Sequence, residues 1–361
     1  MTKLACFITS HGFGHASRSC AVLEKTLRKI PELSLEIFTD VPHWFLKENL
    51  PKGSFEHHRG NVDVGLVQQD PFTHDLSQTV RRLETFLAFR EKNLSPIVEK
   101  LQKTRCSTVL CDISPLGIVA AMKADIPSIL LENFTWDWIY EEYLEDFPQL
   151  EGSIGKLKEI YDFADLRIQT IPICNPVSQG IKIKPIARSL AATREETRER
   201  LKTAPKTPLV HLTTGGIQGE YQFRERLRSR PDVRFITTCD QQDPNEDGNL
   251  IELPHRSIYH YPDLVAASDA VVGKAGYGTA NEVLAAGIPF ARVLRRNFRE
   301  SKVLKAFMDQ HLYGFDLTEK EFESLSWIER LEELLSFPRN ESRELDGAEQ
   351  ASELITSKIC S

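Results

Sequence analysis

No stretch of the 361-residue chain is apolar for long enough to span a membrane, so no transmembrane helix is expected. The start, MTKLACFITS, lacks a signal-peptide layout and reads into a strand. The seven cysteines, at 6, 20, 106, 111, 174, 239 and 360, contain no CxxC pair. That argues against a disulfide framework or a cysteine-built zinc site, and for reduced thiols in a cytoplasmic protein. Lysine and arginine form no block, basic clusters such as Arg295-Arg296 are short, and the net charge is −7. No nucleic-acid partner is therefore expected. No internal sequence repeat is evident. What is present is 41% hydrophobic and 27% charged residues, the balance of a soluble folded protein, in a chain long enough for two domains.

Short apolar runs alternate with helical patterns almost throughout. KLACFIT (3–9) reads as a strand, followed by a helix from about 16 to 30 and a second strand, LEIFTD (35–40), ending on Asp40. One long amphipathic helix is expected over 79–103. TVLCDIS (108–114) and PSILLEN (127–133) read as buried strands separated by the helical LGIVAAMKA. GIKIKPIARS (180–189) looks like a connector, and Thr193 with Glu196 forms a capping box at the next helix. Strands then recur at 208–214, 233–239, 269–274 and 289–294. Apolar strands with helical crossovers imply an α/β fold with parallel sheets covered on both faces. We expect two facing, doubly wound, Rossmann-like domains, 1–180 and 181–345, with a final helix in 346–361 as a candidate to cross back to the first. A ligand cleft would then lie outside the carboxyl ends of both sheets.

Three glycine-containing turns fall at such ends. In SHGFGHASR (10–18), Gly12 and Gly14 allow close backbone approach to a ligand, and His11 and His15 are able to titrate near neutral pH. The turn suits a phosphate, a catalytic base or a tight strand-to-helix connection. GFGHAS matches two glycines of a dinucleotide fingerprint, with Asp40 where a ribose-binding acid would stand, but Ser17 replaces the third glycine. In HLTTGGIQGEY (211–221), Gly215, Gly216 and Gly219 suit an anion site or a structural turn, and no GK[ST] follows. DAVVGKAGYGTANEVLAAGIPFARV (269–293) is more informative: a strand, a glycine loop, a helix starting near Gly278–Thr279, and Glu282 in its first turn. Such a helix N-terminus offers free amides to a diphosphate, and the Glu offers an acceptor to ribose hydroxyls or simply favours the helix dipole.

GKAGYGTANEVLAAGIPF resembles the donor-nucleotide signature of GT-B glycosyltransferases, and GGIQG resembles the loop that opens the donor domain of the peptidoglycan N-acetylglucosaminyltransferases. SHGFGHASR resembles the GHxxP turn of the acceptor domain, with Arg18 in place of Pro. A nearer resemblance is to the glycosyltransferase-like amino-terminal region of plant-type L-arabinokinases. It rests on SHGFGH (10–15), DVGLVQ (63–68), CDISP (111–115), NFTWDWIYEEY (133–143) and GKAGYGTANE (273–282). No sugar-kinase region follows, so the expectation is of that region standing alone.

The resemblance implies transfer of a sugar from a nucleoside-diphosphate sugar, UDP-linked in that family's habit, to an acceptor it does not name. It makes His15 the base toward the acceptor hydroxyl, oriented by Asp112, with His11 competing for the role. Gly14, Gly215, Gly216, Lys274, Gly276, Gly278 and Thr279 would meet the donor phosphates, and Glu282 the ribose. Glu300 would be the donor-sugar ligand, and Arg299 beside it departs from the family pattern. Trp136 and Asp137 are acceptor or sugar contacts if they are not core. Retaining enzymes of this fold often carry two glutamates eight positions apart. Here Lys274 stands eight before Glu282, which favours inversion. No D-x-D appears, so neither a metal nor another cofactor is expected. A nonhydrolysing nucleotide-sugar epimerase and a non-catalytic nucleotide-sugar-binding regulator are the alternatives.

Overall fold

The computed structural model describes residues 2–68, 73–213, 224–239, 243–254 and 256–360. The first sheet holds β1 (Lys3–Ile8), β2 (Ser34–Phe38), β3 (Phe55–His58), β4 (Cys106–Asp112), β5 (Ser128–Glu132), β6 (Leu166–Thr170) and β7 (Ile181–Ile183). Its order is β3-β2-β1-β4-β5-β6-β7, parallel throughout. The second holds β8 (Leu209–Thr213), β9 (Arg234–Cys239), β10 (Asn245–Asp247), β11 (Leu250–Pro254), β12 (Ala270–Lys274), β13 (Phe290–Val293) and β14 (Gly314–Leu317). Its order is β10-β11-β9-β8-β12-β13-β14, and the β10–β11 pair is antiparallel. The central strands are buried along their length, as strands covered on both faces must be, and separate apolar clusters fill the two faces of each sheet. The fold is the expected α/β pair of facing, doubly wound sheets.

Several local expectations change. The segment read as one helix over 79–103 is two, Leu76–Leu87 and Glu91–Thr104, with Phe89 between them at φ 41. The turn sets Phe86 and Phe89 edge to face, ring centroids 5.6 Å apart, and both pack on the core. The presumed connector GIKIKPIARS opens with edge strand β7, paired parallel to β6. Gly12, at φ 77, turns the chain sharply enough for the first helix to begin at Phe13, not near 16, so His15 sits in its first turn. The helix after β12 likewise begins at Tyr277, placing Glu282 in its second turn. The capping box of Thr193 and Glu196 is present. The final helix, Gly347–Cys360, packs on the first helix, Phe13–Lys29, and Ala348, Ala351 and Ile355 join the cluster beside β1. No helix among the described residues is long and apolar enough to cross a membrane.

The first helix and the Tyr277–Ala286 helix meet at their N-terminal ends. A Cβ on Gly278 would lie 3.1 Å from Gly14 Cα, so the close approach depends on two glycines facing each other. This contact brings the carboxyl ends of β1 and β12 to one cleft.

Candidate functional site

His15 Nδ1 lies 2.8 Å from Asp112 Oδ1 at the carboxyl end of β4. Asp112 is buried, and three further bonds reach it: Arg18 Nη2 to Oδ1 at 2.5 Å, Arg18 Nε to Oδ2 at 2.8 Å and Ser19 Oγ to Oδ2 at 2.7 Å. Burial alone would raise the carboxyl's pKa. The Arg18 charge and its hydrogen bonds, with help from His15, outweigh that and hold it well below the usual range. In the tautomer with the proton on Nδ1, His15 donates to the ionised Asp112, which leaves Nε2 as the imidazole's acceptor nitrogen. Arg18 Nη2 also lies 2.9 Å from His15 Nδ1, so the guanidinium stands against the imidazole as well as its carboxylate. Sequence reasoning noticed Arg18 only as a departure from proline. The structure makes it the buried hub of this cluster.

His11 does not join that pair. Its ring meets Trp136 edge-on at 5.2 Å, and its buried Nε2 has no protein partner. Burial, then the charges of Arg295, His15 and Lys274, hold its pKa well below the ordinary value, so it is neutral. Trp136 is core: it is 1% exposed, stacks on Tyr140 and donates Nε1–H to Asp63 Oδ2 at 2.8 Å. Burial pushes the Asp63 carboxyl up to about 6 against the bonds from Thr9 and Trp136. Asp137 is also buried, its carboxyl pKa raised chiefly by desolvation. Neither Trp136 nor Asp137 lines the two cavities of the cleft. The aromatic density of NFTWDWIYEEY reflects packing beneath the His15 turn.

Of the two cavities that meet at the helix N-termini, the larger, about 220 Å³, lies between the domains, with Trp44 and Phe45 on one wall and Tyr261, Thr279 and Glu282 on the other. A smaller one, about 70 Å³, is lined by His11, His15, Arg18, Lys274, Arg295 and Glu300. Gly14, Gly278 and Thr279 line both, so the two adjoin at the meeting of the helix N-termini. Neither helix has a side-chain cap, at Gly12 or at Gly276, which leaves first-turn amides for a ligand or water. Arg295 is only partly exposed, and desolvation lowers its pKa to about 10, so it remains a cation at neutral pH. Among the described residues, the small cavity thus gathers cations and helix-end amides around one carboxylate, Glu300.

Glu282 is not free. Its Oε1 accepts from Arg188 Nε at 2.8 Å, and Arg188 Nη1 reaches Asn49 Oδ1 at 2.9 Å. The guanidinium sits 5.6 Å from the Phe45 ring and 5.7 Å from that of Tyr261. Arg188 thereby joins the proposed ribose acid to the first domain, and no sequence signal marked it. Arg299 does not reach either cavity. It donates to Trp138 O at 2.5 Å and Glu141 Oε2 at 2.6 Å and lies over the Trp138 ring. Gly215 and Gly216 lie outside the described residues. Among the described residues the cluster with metal-ligand spacing is Glu36, Glu56 and His58, which lines neither cavity. There Glu36 is already bound by Lys3 and His58, each at 2.6 Å.

No family model matches the chain. Over 356 residues, 97% of its length, it is 28% identical to L-arabinokinase of Arabidopsis thaliana, and it spans 34% of that protein. Among solved structures, it is similar to the glycosyltransferase SnogD from Streptomyces nogalater, at 16% identity and TM-score 0.58, covering 100% of this chain and 95% of that one. It is similar also to MurG of Acinetobacter baumannii, at 14% identity and TM-score 0.55, covering 99% and 100%. With UGT89C1 of Arabidopsis thaliana, solved with UDP, the identity is 11% and the TM-score 0.60 over 100% of both chains. At such identities the likeness carries the architecture. The chain has the GT-B fold of two facing Rossmann-like domains, and along nearly its whole length it resembles L-arabinokinase.

Proposed function

We propose that the protein is a cytosolic, metal-independent, inverting glycosyltransferase that moves a sugar from a nucleoside-diphosphate sugar, UDP-linked, to a hydroxyl acceptor. The observation that carries this reading is His15, held 2.8 Å from the buried Asp112, on the same small cavity as Lys274, Arg295 and the N-terminus of the Tyr277–Ala286 helix. In one displacement, His15 Nε2 takes the acceptor proton, and the acceptor oxygen bonds to the anomeric carbon. The bond to the diphosphate breaks, and the leaving group carries its electron pair toward the helix amides and the two cations. The nucleoside occupies the larger cavity, with its ribose on Glu282 and its diphosphate at Gly276, Gly278 and Thr279, and Gly14 brings the facing backbone close. The disposition of Gly215 and Gly216 toward the phosphates belongs to the same proposal. Glu300 is the ligand of the donor sugar.

The ligand is the first thing to test. Stabilisation should be measured against nucleoside diphosphates, UDP-sugars and NAD(P), with and without EDTA. UDP and its sugars should raise the melting temperature with EDTA making no difference, since ligand at 100 times its Kd contributes about 2.7 kcal/mol. A response to NAD(P) alone would overturn the donor site in favour of the dinucleotide reading. A second test addresses the ribose. Glu282→Gln should weaken UDP binding by about 10-fold or more in calorimetry, the worth of a charge-assisted hydrogen bond. Unchanged affinity removes Glu282 from the ribose.

One observation favours a second reading, a regulator that binds a nucleotide sugar without transferring it. The carboxylate that should stabilise a protonated His15 is already met on both oxygens by Arg18. A site built this way holds ligand but gives an imidazolium less help than an unshared carboxylate would.

A further inference from the structure

Asn133 has no solvent exposure, and both ends of its amide are engaged. Its Oδ1 accepts from Arg18 Nη1 at 2.6 Å, and its Nδ2 donates to Glu300 Oε1 at 2.7 Å. Arg18 belongs to the helix after β1, and Glu300 opens the Glu300–His311 helix after β13. One amide therefore links elements of the two sheets. The fit is chemically specific, because a guanidinium only donates, an ionised carboxylate only accepts, and an amide supplies one of each. Glu300 Oε2 faces Arg295 Nη2 at 3.6 Å, and the residue lines the small cavity beside His15. A continuous chain thus runs from His15 through Asp112, Arg18 and Asn133 to Glu300.

We propose that Asn133 is a positioning residue: it holds Glu300 in the orientation that accepts a hydroxyl of the donor sugar, and fixes that orientation relative to the His15–Asp112 pair. The proposal rests on the donor-site reading above. Asn133 touches neither sugar nor acceptor. It acts by setting where the carboxylate points, so its removal should be felt by the sugar moiety and not by the nucleoside diphosphate.

The test is a pair of titrations, UDP and a UDP-sugar, on wild type, Asn133→Asp and the double variant Asn133→Asp/Glu300→Gln. UDP-glucose, UDP-galactose, UDP-xylose and UDP-arabinose are screened first, and the one that binds wild type most tightly is used. In Asn133→Asp two carboxylates face each other and Glu300 turns aside, so UDP-sugar affinity should fall about 10-fold or more with UDP affinity within about twofold. In the double variant the Gln amide donates to the Asp carboxylate, the bridge re-forms with its roles exchanged, and most of the lost selectivity returns. A merely structural residue would not show that recovery. An equal loss of UDP and UDP-sugar in Asn133→Asp, an unchanged ratio, or no recovery in the double variant each overturns the proposal. Wild type that binds none of these probes overturns the donor reading itself, and the bridge with it.

Discussion

Replacing His15 with alanine should lower the turnover number for sugar transfer at least about 100-fold, the lower end of what a general base contributes, while nucleotide-sugar affinity stays close to that of wild type. The geometry behind this is the 2.8 Å bond to Asp112, which commits Nδ1 and leaves Nε2 as the acceptor nitrogen on the small cavity. The proposed donor anchors, Lys274, Thr279, Glu282 and Glu300, are other residues of the cleft, so binding and turnover should separate. Steady-state kinetics beside calorimetry check this. Full transfer activity in the variant would remove His15 as the base, and His11, on the same cavity with an unpartnered Nε2, would be the next to replace. Intact nucleotide-sugar binding in a wild type that transfers to no acceptor would favour the regulator.

Arg18→Met should destabilise the protein by about 3–5 kcal/mol, the cost of leaving one member of a buried ion pair without the other. Methionine fills most of the volume, so the loss is chiefly electrostatic. Asp112 would keep His15 and Ser19 but lose the charge that counters its burial. The sign with pH follows from the carboxyl. In wild type its pKa is depressed, so the stability it contributes is complete above the unfolded value and is lost as pH falls through the folded one. In the variant burial prevails, the folded protein takes up a proton that the unfolded chain does not, and stability rises on acidification. The stability gap between wild type and variant should therefore narrow from pH 7 toward pH 4, read from urea unfolding at each pH. A gap that is small, or constant with pH, would show that Arg18 does not govern the charge of Asp112.

These two variants also mark how far the sequence could be read. The placement of His15 and Asp112 at strand ends was legible, because a buried strand leading into a glycine turn or a helix start is a local pattern. So was the strand–loop–helix of 269–293, whose glycines and Glu282 lie within one short stretch. The kink at Phe89 was not, since the apolar stripe runs on through it and neither glycine nor proline stands at 88–90 to mark the turn. Trp136 had two readings on composition alone, and its bond to Asp63, 73 residues away, put it in the core.

What the sequence alone determined was the alternation of buried strands with helices, hence two mainly parallel sheets, and the glycine turns at their carboxyl ends. These follow from periodicity and backbone sterics over a dozen residues or fewer. What only the tertiary structure decided was which charge meets which. Arg18 finds Asp112 across 94 residues, Arg188 finds Glu282 across 94, and Asn133 finds Glu300 across 167. A buried ionised group must be paired, but local sequence cannot specify the partner, because that depends on which distant elements the two sheets bring to their shared cleft.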